Sequence, residues 1–222
     1  EPVPQKAGAK ETYVVPGLEP DTTYYFALKV LDNVGNASPV SNVVIGKTSA
    51  GTIAFSDDME KGAGEWTVVG ADALWHLSEH RANSPTHAWY YGDEAKRTYD
   101  TGGATSGFLT SPVIELATTG DVLLTYYEWS QLEGSDAFDR TRVQVSADEG
   151  ATWTTVYESH NTNNEWVKRA VSLTPYVGDS SSIQVRFWFD SIDNRFNGFE
   201  GWYVDDVAIL VAEKGVPGAG PS

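Results

Sequence analysis

Two acidic segments at opposite ends of the chain carry the residues best suited to chemistry: Phe55-Ser-Asp-Asp-Met-Glu60, and the adjacent Asp205 and Asp206 within Gly201-Trp-Tyr-Val-Asp-Asp-Val-Ala-Ile209. Calcium takes six to eight oxygens, at about 2.3–2.6 Å, from carboxylates, carbonyls and water. Segments of this kind suit such a hard cation wherever a fold brings them together. The same residues serve equally well as a solvated acidic turn and as ordinary loop hydrogen-bond acceptors. An acid/base pair is a poor reading of Asp205 and Asp206, because neighbouring side chains of a strand point to opposite faces and cannot jointly flank one scissile bond.

A second group lies in Asp190-Ser-Ile-Asp-Asn-Arg-Phe-Asn-Gly-Phe-Glu-Gly201, a polar loop leading into the last strand. Loops on a rigid scaffold are where binding residues concentrate. Asp190, Asp193 and Asn194 are candidates for a second cation, Arg195 for a carboxylate, and Phe196 or Phe199 for stacking on a ligand. A loop closed by its own hydrogen bonds is the plainer reading. Sugars dock on exposed aromatic faces, and Trp75, Tyr91, Phe138 and Trp166 flank loops where such faces could stand free. Trp89, Trp129 and Trp188 fall in mid-strand and read as core.

Ser146-Ala-Asp-Glu-Gly-Ala-Thr-Trp153 matches the "Asp box", S-x-D-x-G-x-T-W, known from sialidases. Its mechanics are structural: Asp148 and Gly150 shape a hairpin turn and Trp153 packs beneath it. One box without a blade-length repeat does not make a propeller. His76, His80, His87 and His160 lie outside any H-E-x-x-H pattern, and there is no G-x-S-x-G elbow, G-x-G-x-x-G or P-loop. Nothing here assembles an acid, a base and a nucleophile, so the segment reads as non-catalytic.

These residues need a β scaffold to position them, and the composition supplies one. Among 222 residues, 8 Trp, 11 Tyr and 8 Phe accompany many Val and Thr, while 21 Gly and 10 Pro punctuate the chain at short intervals. Strand-like segments fall near 86–91, 107–116, 121–130, 140–147, 152–158, 166–173, 182–190 and 201–211. The net charge of -16 disfavours nucleic acid and anionic membrane surfaces and favours divalent metal. Without cysteine there is no disulfide framework, and no apolar run reaches the length of a membrane span.

The N-terminal stretch holds Leu18-Glu-Pro-Asp-Thr-Thr-Tyr24 and Asp32-Asn-Val-Gly-Asn-Ala-Ser38, with alternation at Tyr24, Phe26, Leu28 and Val30. It resembles the last strands of a fibronectin type III module, whose L-x-P-x-T-x-Y corner and D-x-x-G-N-x-S turn are both present. Such a sandwich takes about 100 residues, so residues 1–48 correspond to a module whose first strands are cut away or supplied by another chain. Thr48-Ser-Ala-Gly-Thr52 is small and polar, which places a linker at 49–53.

The acidic opening at residues 55–60, with Gly62 and Trp66, and the closing Asp-Asp-Val strand resemble the MAM-like jelly rolls of secreted immune inhibitor A-type metallopeptidases and, more distantly, jelly-roll carbohydrate-binding modules. The resemblance implies a structural Ca2+ held by Asp58 or Glu60 and by Asp205, tying together the ends of a domain spanning 54–212. Residues 213–222 read as a flexible tail. The expected protein is all-β, a partial fibronectin type III sandwich plus a jelly-roll β-sandwich, secreted or at the cell surface. It would be an accessory region of a hydrolase, foremost a peptidase, with a parent catalytic domain and a polysaccharide or protein substrate as partners. A carbohydrate-binding module and a cell-surface adhesive protein are the alternatives.

Overall fold

The computed structural model describes residues 15, 18, 21–32, 34–48, 50–70, 73–116, 120–134 and 138–213. Glu19 and Pro20 of the expected fibronectin corner, and nearly all of the expected tail, lie outside these residues. Strands β1 (Thr23–Phe26) and β2 (Val44–Lys47) pair antiparallel as a two-stranded sheet. The chain between them is pinned by Asp32, whose Oδ1 accepts the amides of Val34 and Asn36. Tyr24 and Phe26 are half-buried as the alternation predicts, but Leu28 and Val30 are exposed. The strand ends at Phe26, and no described residue covers the side chains that follow.

The remaining strands are β3 (Gly51–Asp57), β4 (Thr67–Val69), β5 (Trp75–Ser78), β6 (Ala88–Tyr91), β7 (Ser106–Thr110), β8 (Ile114–Glu115), β9 (Gly120–Gln131), β10 (Arg140–Ser146), β11 (Thr154–Ser159), β12 (Val167–Ser172), β13 (Ser182–Asp190) and β14 (Gly201–Glu213). A single-turn helix, α1 (Thr174–Val177), joins β12 to β13. Two antiparallel six-stranded sheets result. One runs β11-β10-β13-β7-β4 with β8 on β13, the other β12-β9-β14-β6-β5 with β3 on β14. The protein is an all-β sandwich. No helix among the described residues is long and apolar enough to cross a membrane.

The predicted linker is corrected here. Gly51, Thr52 and Ile53 pair with Ala212, Val211 and Leu210, so the sandwich begins at Gly51. Small and β-branched residues satisfy an edge strand as readily as a linker, and composition alone does not separate the two.

Strict alternation builds the core. On β13, Ile183, Val185, Phe187 and Phe189 are buried, while Gln184, Arg186, Trp188 and Asp190 face outward. Phe187 lies 5.8 Å from Trp202 and 5.1 Å from Tyr126 across the two sheets. Gly201 opens β14 with φ 109°, and a Cβ there would come within 2.2 Å of the Tyr91 carbonyl oxygen, so only glycine fits.

One charge enters this apolar layer. Glu128 is buried beside Tyr126 and accepts Arg169 Nε at 2.7 Å and Trp202 Nε1 at 3.1 Å. Removing one partner of a buried pair strands the other charge. Arg169→Met is expected to cost about 3 kcal/mol in urea denaturation, with most of the loss recovered in the Arg169→Met, Glu128→Gln double variant.

Candidate functional site

The register of β14 breaks between Asp205 and Ala208: Asp205 lies opposite Tyr127 and Ala208 opposite Thr125, so β14 carries one extra residue. Asp206 absorbs it with φ 49°. This is a β-bulge, which re-aims side chains beside it. Before the bulge Trp202 and Val204 face the core; after it Val207, Ile209 and Val211 do. A strict two-residue alternation along β14 therefore fails at its midpoint. The expectation that Asp205 and Asp206 diverge is corrected as well, because both carboxylates meet Asn83, one at its backbone amide (2.7 Å) and one at its side-chain amide (2.7 Å).

Asp205 is 0% exposed. Its carboxylate accepts the amides of Asn83, Ser84 and Asp206, yet burial still pushes its pKa up to about 6. The Ser84 hydroxyl stands 3.1 Å from Asp205 Oδ1 and 2.9 Å from the Asp58 carbonyl oxygen. One hydroxyl proton cannot fully serve both acceptors. Two residues on, Thr86 and His87 donate their amides to Glu60 at 2.9 and 2.8 Å, and the Thr86 hydroxyl adds a third bond. The Thr86 hydroxyl and these amides hold Glu60 at about 2. The segment 83–87 thus clasps residues 58–60 and 205 in one place.

The clasp gathers oxygen groups of the kind a hard cation takes: an ionised carboxylate at Glu60, a buried carboxylate at Asp205, the Asp58 carbonyl and the Ser84 hydroxyl. No three His, Cys, Asp or Glu side chains gather as a metal cluster among the described residues. Asp57 belongs to the turn itself, accepting the Met59 amide and Trp66 Nε1, both at 2.9 Å. An open cleft of about 530 Å³ lined by Asp57, Asp58, Lys61 and Asp206 adjoins the clasp.

The outer face of the β10-β13-β7 sheet presents a second arrangement. Arg142, Trp188 and Phe108 stand opposite one another across three strands. Phe108 and Trp188 rings lie 5.2 Å apart, and the Arg142 guanidinium sits 4.1 Å over Trp188. In the next row Arg186 lies 4.2 Å over Phe108 and 4.1 Å over Trp153. Arg142 pairs with Glu158 and Asp190. Among the described residues Arg186 has only the Gln144 amide oxygen, at 2.7 Å, and burial lowers its pKa with no carboxylate there to offset it.

Trp153 reaches this face through the Asp box. Asp148 accepts the Thr152 amide (2.8 Å) and hydroxyl (2.6 Å), Ser146 Oγ accepts the Gly150 amide (2.8 Å), and Trp153 Nε1 donates to the Gly150 carbonyl (3.0 Å).

The other predicted residues disperse. Trp75 (4% exposed) and Tyr91 (0%) are core residues packed on Trp202 and Phe189, which corrects their reading as ligand-stacking rings. Trp166 packs against Tyr203, and Phe199 against the core. Phe138 is half-buried, and Phe196 is 71% exposed. Asp190 splits its carboxylate, one oxygen accepting the Ile192 amide of the loop at 3.1 Å and the other pairing with Arg142. Asp193 Oδ1 accepts the Arg195 amide at 2.8 Å, and Asn194 and Arg195 are exposed. Trp188, read as core, faces outward and is half-buried. Arg186 and Phe108 went unnoticed, although the period-two polarity of residues 183–190 marks Arg186 and Trp188 as sharing the outer face. Nothing in the sequence signals Ser84 or Thr86.

No protein-family model matches the chain. Bacillopeptidase F of Bacillus subtilis (strain 168) is 27% identical over 161 residues, which is 71% of this chain. The chain spans about a tenth of that relative's length, 11%. Similar solved structures include a family 61 carbohydrate-binding module in complex with beta-1,4-galactotriose (16% identity, TM-score 0.49, 69% of this chain and 94% of that one). Others are the CBM22-1 xylan-binding domain of Xyn10C from Paenibacillus barcinonensis (16%, 0.48, 76% and 99%) and the K1 cleaved adhesin domain of Lys-gingipain from Porphyromonas gingivalis W83 (15%, 0.49, 72% and 98%).

Asp148→Ala removes the acceptor of three hydrogen bonds that close the Asp-box turn, from the Ser146 hydroxyl and the Thr152 amide and hydroxyl. It is expected to lower the Tm and to shift Trp153 fluorescence, read by thermal denaturation and emission spectra.

Proposed function

We propose that this segment is a non-catalytic accessory module of a secreted hydrolase, braced by calcium, which attaches its parent enzyme to polysaccharide through the outer face of the β10-β13-β7 sheet. The observation that carries this reading is Arg186: a guanidinium held between two aromatic rings without a carboxylate partner, in a chain of net charge -16. Charge of that kind is costly to keep unpaired, and it is what a ligand rich in hydroxyl or carboxylate oxygen would satisfy. The flanking rings of Phe108, Trp188 and Trp153 supply the apolar surface on which a pyranose stacks, and Gln144 adds an amide. The parent is a peptidase in this reading, a context supported by the similarity to Bacillopeptidase F.

The face gives the first test. Polysaccharides, neutral and uronate-containing, are incubated with the full chain and sedimented or run in affinity gels. Trp188→Ala and Arg186→Ala should each abolish retention, while Phe196→Ala, on an exposed loop ring, should leave it unchanged. Retention of both face variants at the wild-type level, or failure of the wild type to bind any of the panel, refutes the reading.

The clasp gives the second. Glu60, Asp205, the Asp58 carbonyl and the Ser84 hydroxyl would hold the ion, whose role is to join the first and last strands of the sandwich. Calcium at a hundred times its Kd should add about 2.7 kcal/mol of stability, seen as a rise in Tm over the chelator-treated protein and lost in Asp205→Asn. Superimposable melts with calcium and with chelator would exclude the brace.

A further inference from the structure

Three stretches meet at the end of β10 where Asp139 precedes the strand: residues 98–105, residues 132–134 with 138–139, and residues 191–200. Asp139 is 0% exposed and Asn197 3%. Asp139 Oδ2 accepts the Tyr99 hydroxyl and, at 2.8 Å, the Glu133 amide. Asp139 Oδ1 is buried and has no hydrogen-bond partner among the described residues, and the same is true of Asn197 Oδ1.

The orientation of the Asn197 amide is fixed. Its Nδ2 donates to the carbonyls of Gly103 and Asp193, each at 3.2 Å; a flipped amide would set oxygen against two oxygens. The orphaned atom is therefore an acceptor. The loops are tied to one another, since Thr98 Oγ1 donates to the Asn197 carbonyl (2.6 Å) and the Tyr99 amide to the Phe199 carbonyl (3.2 Å), while the Tyr99 ring reaches Asp139. The charges of Glu133 and Asp193 both act on Asp139, and both are negative. Asp193 keeps one carboxylate oxygen beyond the one that accepts the Arg195 amide.

Two buried acceptors with no donor among the described residues, in a setting of negative charge, are suited to a cation. We infer that this loop junction is a second calcium site, with Asp139 Oδ1, Asn197 Oδ1 and the Asp193 carboxylate as ligands and carbonyls or water completing the shell. It is separate from the clasp at Asp205, and of the acidic loop 190–195 it draws only on Asp193. All its donors are oxygen, as a hard cation prefers. The ion would pin the loop between β13 and β14 to the start of β10.

Calcium is titrated calorimetrically into the chelator-treated full chain and into Asp139→Asn and Asp205→Asn variants. The wild type should bind two ions, Asp139→Asn should lose one and keep the ion that Asp205→Asn loses, and the double variant should bind none. If the clasp does not bind calcium, the wild type takes one ion, which Asp139→Asn loses and Asp205→Asn retains, so the two sites fail separately. An Asp139→Asn protein that binds as many ions as the wild type overturns the inference and leaves the junction a polar, water-filled pocket. Should Asp139→Asn not fold by near-ultraviolet circular dichroism, Asp193→Asn replaces it, since an asparagine Oδ1 can still accept the Arg195 amide. That variant should lose the same ion, and an unchanged titration is equally decisive against the site.

Discussion

Strand β14 constrains everything else in the sandwich. It hydrogen-bonds β9 along most of its length, β6 near its start and β3 near its end, so three other strands take their register from it. A single extra residue in such a strand changes which side chains face inward beyond it. The bulge at Asp205–Ala208 makes that change where β6 gives way to β3 as the neighbour of β14. On one side Trp202 and Val204 fill the core, and on the other Val207, Ile209 and Val211 do. Asp205 sits at the crossover, buried and pointing to the segment 83–87, which no regular strand could have arranged.

The two sheets share one interior but differ outside. On the β9-β14-β6 sheet the outer rings of Tyr90, Tyr203 and Trp129 are buried, with Tyr90 and Tyr203 stacked at 4.2 Å and Arg81 lying 4.0 Å over Trp129. Arg81 is neutralised by Glu200 at 2.8 Å. That face is closed and electrically satisfied. The β10-β13-β7 face repeats the same chemistry, arginine over aromatic ring, but leaves its rings half-exposed and Arg186 without an acid. The contrast within one molecule, rather than aromatic content as such, distinguishes an open face from a packed one.

The fold was legible because strand periodicity is short-range. Most strands from β6 to β14 could be placed from apolar alternation and turn residues, and the Asp box defined its hairpin outright. What escaped depended on partners distant in sequence. Thr52 and Ile53 read as linker until β14 is seen beside them, and Trp75 reads as a loop-flanking ring until Trp202 lies 5.4 Å away. Asp58, Glu60 and Asp205 were visible as oxygen donors, but the segment joining them was not. Ser84 and Thr86 are ordinary loop residues whose roles come from Asp205 at the bulge, more than a hundred residues later, and from Glu60 in the opening strand-turn.

Net charge shows the same limit of averaged properties. A formal charge of -16 argues against polyanions as partners of the whole chain, yet electrostatics at contact distance depends on which charges are paired. Arg140 and Arg142 share Glu158, Arg142 also meets Asp190, and Arg169 answers Glu128. Arg186 alone on its face is left to rings and an amide, so the sheet carries local positive character inside an acidic protein. The clasp and the loop junction gather oxygens instead. An acidic chain can thus present, on one sheet face, an arginine with no carboxylate partner among the described residues, because pairing is decided locally and not by the net charge.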